Sequence, residues 1–443
     1  MDKERIEIEN EILDKCAGKI FVLQDIDSKH EVILQAFLEV YHSPRCQKFV
    51  QENKGLEMEK FFQEFLGYGL VDQFLADPEV EDIMINYLHP IHVHKSKVGM
   101  VNTDEKFASR AELDLLIKKL IIFSGRKDIK NINNVELSEI KGRANIVYSP
   151  FGPHVTITRA KGKPLSIIDL IKAKSLTPGL AAVFWLYLEG LGAKPANILI
   201  SGGPGTGKST LLNALFCFIP ENDRIVVIED TLEMNTELED NCARLESDEE
   251  TSLADLVKNS LRMRPDRVIM GEVRGKEAQD LMTAMNIGKY CMGTLHAATA
   301  RETIVRLTHE PMNIPDILIN LVDVFVIMKR YVLEDQVLRV VGEMVETAGM
   351  EENTVLLSTV SSFNLGVKDF LESGSSVYRD RLAKISGKTS KEIMEEVNSR
   401  AIFLAKMSEK DIREFREVTL MCRKYIKDPE AAFKELGIEN YFS

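Results

Sequence analysis

The 443-residue sequence predicts an α/β fold built on a mostly parallel sheet covered on both faces, and three observations carry that expectation. Short apolar runs recur between about residues 165 and 345: Asn197-Ile198-Leu199-Ile200-Ser201, Arg224 to Ile228, Arg267 to Met270, Tyr290 to Thr294 and Val322 to Met328. Helical spacings separate them, as at Leu253, Leu256, Val257 and Leu261, and at Ala278, Leu281, Met282 and Met285. The first run leads directly into Gly202-Gly203-Pro204-Gly205-Thr206-Gly207-Lys208-Ser209, a full match to the phosphate-binding loop G-x-x-x-x-G-K-[ST].

Each residue type in that loop has its own task. Glycines let the backbone curl so that successive N–H groups point at phosphate oxygens. Lys208 supplies a point charge for the outer phosphates, and the Ser209 hydroxyl suits Mg2+. Leu211, Leu212, Ala214 and Leu215 then form the apolar face of a helix whose N-terminus favours anions. The expected nucleotide-binding set is Gly202, Gly203, Pro204, Gly205, Thr206, Gly207, Lys208, Ser209 and Thr210.

Composition limits the alternatives. The chain is 44% hydrophobic and 28% charged, as in globular proteins, and long enough for several cores. A net charge of −13 argues against broad affinity for nucleic acid or anionic membrane, so no direct nucleic-acid contact is expected. The charged start, Met1-Asp2-Lys3-Glu4-Arg5, has no secretory apolar core, and no run approaches the ~20 apolar residues of a membrane span. A cytoplasmic location is expected. Cys16, Cys46, Cys217, Cys242, Cys291 and Cys422 form no C-x-x-C pair and read as reduced thiols.

Four segments are expected along the chain. Residues 1–65 read as a helical docking segment, with Val32, Ile33, Ala36, Phe37 and Val40 on one face and Phe61, Phe62, Phe65 and Leu66 on another. Residues 66–162 read as an α+β domain. Strands are expected around Ile83-Met84-Ile85, Ile91 to His94, Arg143 to Val147 and His154 to Arg159, and a helix through Leu113, Leu116, Ile117, Leu120 and Ile121. Ala160-Lys161-Gly162-Lys163-Pro164 reads as a linker into the P-loop domain, 163–345. Residues 346–443 read as a mostly helical extension that begins with a polar stretch, to about 388, that is either β-rich or a loop.

Acids at neighbouring strand ends narrow the chemistry. Glu229, Asp230 and Glu233 follow one apolar run, and Glu272 follows another after Gly271. A carboxylate at such a strand end activates water or holds magnesium through water; it also serves simply to cap a helix. Gly293-Thr294-Leu295-His296-Ala297 brings His296 to a further strand end.

These motifs, taken together, resemble those of the type II/IV secretion, pilus and archaellum ATPase superfamily. Leu261-Arg262-Met263-Arg264-Pro265-Asp266-Arg267 through Gly271-Glu272-Val273-Arg274 is similar to its Walker B region, which lacks the strand-end aspartate. Ile228-Glu229-Asp230 with Glu233 resembles its Asp box, and Gly293 to Ala297 its His box. Upstream, Glu81 to Asn86, Gly142-Arg143-Ala144-Asn145, Thr156-Ile157-Thr158-Arg159 and Lys163-Pro164-Leu165 resemble the domain before the motor. The tail Ile412-Arg413-Glu414-Phe415-Arg416-Glu417-Val418 resembles archaeal members, and the tight-adherence and archaeal pilus branch is the nearest match. Tyr87 stands where the family often has glycine, and the tetracysteine zinc element of some bacterial members is absent.

The resemblance implies a RecA-like motor in a homo-oligomeric, expected hexameric, ring. ATP would be bound with Mg2+ between the motor and the domain before it, and the ring would work on a polytopic membrane platform protein at the cytoplasmic face of the membrane. It makes Glu272, Glu229, Lys208 and His296 catalytic candidates and Arg143, Arg159, Arg262 and Arg274 phosphate or interface arginines, with Ser209 and Glu272 at the metal. The expected function is ATP hydrolysis driving assembly or secretion of a type IV pilus-like filament. A DNA-transfer or DNA-uptake motor, a nucleotide kinase and a non-hydrolysing nucleotide-gated scaffold are the alternatives.

Overall fold

The computed structural model describes residues 3–21, 24–53, 56–96, 98–126, 128–140, 142–159, 164–230, 234–236, 238–247, 250–333, 336–352 and 354–438. Glu233 and residues 160–163 of the expected linker lie outside the described residues. The chain divides into two compact units, Met1–Gly162 and Lys163–Ser443.

The first unit is a helix-covered antiparallel sheet. Its helices are α1 (Lys3–Cys16), α2 (Ile26–Tyr41), α3 (Pro44–Glu52), α4 (Met58–Leu66), α5 (Asp72–Leu75) and α6 (Arg110–Phe123). Its strands are β1 (Val80–Asn86), β2 (His92–Lys95), β3 (Gly99–Asn102), β4 (Ile132–Leu137), β5 (Gly142–Ser149) and β6 (Gly152–Arg159), ordered β3-β2-β1-β6-β5-β4. Alternate residues of β6, Val155 and Ile157 among them, point into the core, as a sheet buried on one face requires. Ile33, Phe37, Phe61 and Phe65 join that same core, so the helices of residues 1–65 are packed into the unit that carries the sheet. Lys119 of α6 ties them: its Nζ lies 2.8 Å from Glu9 and donates to the carbonyls of Phe65 at 2.8 Å and Gly67 at 3.1 Å.

The second unit carries β7 (Ile198–Gly202), β8 (Ile225–Glu229), β9 (Cys242–Glu246), β10 (Arg267–Met270), β11 (Tyr290–Leu295), β12 (Val324–Leu333), β13 (Gln336–Glu351), β14 (Thr354–Asn364) and β15 (Asp369–Glu372). Their order is β15-β14-β13-β12-β7-β11-β10-β8-β9. Neighbours from β12 to β9 pair in parallel, and those from β12 to β15 antiparallel. The P-loop strand β7 is therefore interior, the RecA-like arrangement, with both edges hydrogen-bonded. Strand alternation sends Ile198, Ile200, Val227 and Ile269 into one core and Leu199, Val226, Ile228, Val268 and Met270 into another, so the sheet is covered on both faces.

The second face is covered by α10 (Leu253–Ser260), α11 (Glu277–Asn286), α12 (Ala300–Thr308) and α13 (Asp316–Ile319). The first is covered by α7 (Ile167–Lys172), α8 (Pro178–Glu189) and α9 (Lys208–Ala214), and then by α14 (Val377–Ser386), α15 (Ser390–Glu409), α16 (Phe415–Lys427) and α17 (Pro429–Glu435). The C-terminal helices thus complete the core on this face of the second unit. Trp185 of α8 stacks on Phe218 at 5.0 Å between ring centroids and packs on Tyr425 of α16 at 5.1 Å. Above the Trp185 ring sits the Arg400 guanidinium, 4.9 Å away and bonded to Glu189 at 2.9 Å.

β13 runs across the division at 345/346 expected from the sequence. Polar residues are buried within it, Glu346 and Thr347 among them, and these made the segment read as a boundary. The short strands β3, β4 and β9 were not expected; in β9 every residue is at least partly exposed, which leaves no apolar run to read.

Candidate active site

The loop between β7 and α9 is shaped by its neighbours as much as by its own glycines. A Cβ on Gly202 would stand 2.7 Å from both the Met328 carbonyl and Thr206 Oγ1, too close for any side chain. Gly207 has φ +95°, in the left-handed region. Thr206 Oγ1 donates to the Gly203 carbonyl at 2.8 Å and closes the curl. Ser209 and Thr210, in the first turn of α9, are half-buried.

Lys208 begins α9 and is 8% exposed. Its ammonium donates to the Gly203 carbonyl at 3.0 Å and lies 3.3 Å from Nδ1 of His296. Burial holds its pKa below the usual lysine value, against the opposing pull of the Glu272 carboxylate. His296 follows β11. Its Nε2 lies 3.2 Å from Glu272 Oε1, and its backbone carbonyl accepts from Arg306 at 2.9 Å. In the neutral tautomer with hydrogen on Nε2, the ring donates to Glu272 and accepts from Lys208. The structure thus brings Lys208, His296 and Glu272 into one chain at the carboxyl ends of β7, β11 and β10.

Glu229 ends β8 and is 2% exposed. Its carboxylate accepts from the Met234 N–H at 3.2 Å and lies 3.6 Å from Arg244. Next to it, Asp230 pairs with Arg274. At the strand end where an aspartate is missing, a Cβ on Gly271 would lie 3.1 Å from Glu229 Cγ and press on that buried side chain. Glu272 is the first acid at this strand end.

The arginines divide. Arg274 sits beside the acids, its N–H bonded to Glu277 at 2.6 Å. Arg262 is exposed in a turn after α10 and is not drawn into the Lys208–His296–Glu272 chain. Arg143 and Arg159 belong to the first unit, on β5 and β6. The Arg159 guanidinium donates to the carbonyls of Asp77 at 2.6 Å and Val80 at 3.3 Å within that unit.

Two residues at the loop escaped the sequence reading: Met328, which packs on Gly202, and Arg339, whose Nε donates to the Gly205 carbonyl at 2.9 Å. Both arrive through strand pairing, which no local motif records. Among the described residues no group of three or more histidines, cysteines or acids could hold a metal alone, and no helix is long and apolar enough to cross a membrane.

A glycine-rich loop between an interior parallel strand and a helix, with acids at the adjacent strand ends, defines a P-loop fold. The chain belongs to the type II/IV secretion system protein family, whose model matches residues 134–350, a family of secretion and conjugal-transfer ATPases. It is 34% identical over 312 residues to the type IV secretion system protein VirB11 of Bartonella quintana, covering 59% of this chain and 87% of that one. It is 31% identical over 239 residues to the conjugal transfer protein TrbB of Rhizobium radiobacter, covering 53% and 72%. Its 39% identity to the uncharacterized protein MJ0781 of Methanocaldococcus jannaschii extends over 243 residues, 52% of this chain and only 34% of that relative.

Proposed function

We propose that this chain hydrolyses ATP as a ring-forming motor that powers assembly or secretion of a type IV pilus-like filament through a membrane platform protein. The observation that carries hydrolysis is the Lys208–His296–Glu272 chain beside the phosphate-binding loop. Glu272 polarises the attacking water, with Glu229 shaping the strand end behind it. Lys208 moves from the Gly203 carbonyl onto the nucleotide phosphates.

The Ser209 hydroxyl and the Glu272 carboxylate are hard oxygen donors that fit Mg2+, which would neutralise phosphate charge. Arg143, Arg159, Arg262 and Arg274 are the candidates for further charge on the phosphates, and the helices of residues 1–65 for docking the membrane partner. A place at the cytoplasmic face of the membrane follows from that docking. The identity to a Methanocaldococcus jannaschii protein supports an archaeal branch of the family.

The test is Glu272→Gln in the full chain. It should lower steady-state phosphate release by ~10²-fold or more while leaving nucleotide binding near wild type. Turnover at the wild-type rate would remove Glu272 from the chemistry. The similarity to TrbB favours a second reading, a DNA-transfer motor. Tight, salt-dependent DNA binding by the purified protein would select it, and a lack of phosphate release would select a kinase or a scaffold.

A further inference from the structure

The phosphate-binding loop is held from a side that its motif does not specify. Arg339 Nε, on β13, donates to the Gly205 carbonyl at 2.9 Å. The β12–β13 hairpin also floors the loop: a Cβ on Gly207 would stand 3.7 Å from Met328 Cε and 3.8 Å from Arg339 Cδ. Met328 pairs with Gly202, and two residues on, Arg330 pairs directly with Arg339. Like charges opposed across a strand pair repel. Turning Arg339 onto a carbonyl oxygen gives its charge a partner.

A trans peptide points its C=O and the N–H that follows in opposite directions. Fixing the Gly205 carbonyl toward Arg339 therefore turns the Thr206 N–H the other way, into the curl where such loops present N–H groups to anions. The peptide after Gly205 needs an outside hold, because a Cβ there would meet nothing within 4 Å and the residue is sterically unconstrained. The contrast is the Gly203 carbonyl. Thr206 and Lys208 hold it, but the next residue, Pro204, has no N–H to aim.

Resting on the reading of the loop as a nucleotide site, we propose that Arg339 is a positioning residue that presets the Gly205–Thr206 peptide for the phosphates of nucleoside diphosphate and triphosphate alike. The hold acts through the backbone, so the charge of Arg339 alone is not what matters. Lys329 provides the comparison: it carries the same charge on the same hairpin, but its aliphatic chain lies against Gly342 on the opposite face.

A fluorescent ADP and a non-hydrolysable ATP analogue, each titrated into the full chain, test this. Arg339→Ala should weaken both by roughly tenfold, the loss of one charge-assisted hydrogen bond. Arg339→Lys should recover part of that loss and Lys329→Gln should match wild type. In turnover, Arg339→Ala should raise KM for ATP more than it lowers kcat. Unchanged affinity in Arg339→Ala, a loss confined to the triphosphate, or an equal loss in Lys329→Gln would each overturn the proposal. Wild-type protein that binds neither probe would instead overturn the nucleotide reading beneath it.

Discussion

Glu272 Oε1 lies 3.2 Å from Nε2 of His296, so the proposed base for water is fixed to a ring that also touches the loop lysine. The arrangement links two jobs: a carboxylate at the end of β10 is oriented by the same group that touches Lys208. Phosphate arriving at Lys208 would take the ammonium from His296 and leave the ring between Glu272 and the Gly202 carbonyl, 3.3 Å from Nδ1.

His296→Ala therefore separates orientation from binding. Loss of the bridge should lower kcat by roughly tenfold or more, while ADP affinity changes far less. Phosphate release and an ADP titration on the same preparation check it. An unchanged kcat would show that His296 only fills space.

Lys208→Met should separate function from stability. Burial works against this ammonium, and its pKa direction says so. A methionine of similar reach loses two hydrogen-bond contacts but removes a desolvated charge. The nucleotide-free variant should melt within a few degrees of wild type or above it, while the rise in Tm on adding ADP disappears. A large fall in Tm without nucleotide would mean that Lys208 is a structural cation.

Gly271→Asp restores the strand-end aspartate and should harm the protein. The new Cβ would meet Glu229 Cγ at 3.1 Å, and a second carboxylate would sit beside a buried one. A loss of about 1–3 kcal/mol in urea unfolding is expected, with Gly271→Ala intermediate. Wild-type stability in the aspartate variant would refute this packing account.

What the sequence made legible was local. The loop, its strand and its helix read cleanly because eight contiguous residues carry the chemistry. Glu272 and His296 were legible as strand-end groups, since each follows an apolar run. Their mutual approach was not, because it depends on β10 and β11 lying side by side. Gly271 looked like a missing acid, and the Glu229 side chain that a Cβ there would press on comes from β8. Arg339 carried no signal at all: it lies far along the chain, and only the pairing of β12 with β13 brings it to the loop. The helices of residues 1–65 were legible as helices from their spacing, but nothing in that spacing told that Phe37 and Phe61 share a core with the sheet.

The interior place of β7 has a consequence for biosynthesis. Its two partners, β11 and β12, are both encoded well downstream, so the strand leaves the ribosome with neither edge paired. Gly202 gains its Met328 neighbour only when β12 has emerged, and Gly205 its arginine later still. A nascent chain halted before residue 328 would carry every residue of the loop motif and yet lack both Met328 and Arg339 beside it. The sheet of the second unit therefore closes around β7 only once β12 has been made, whereas every residue of the first unit precedes Lys163.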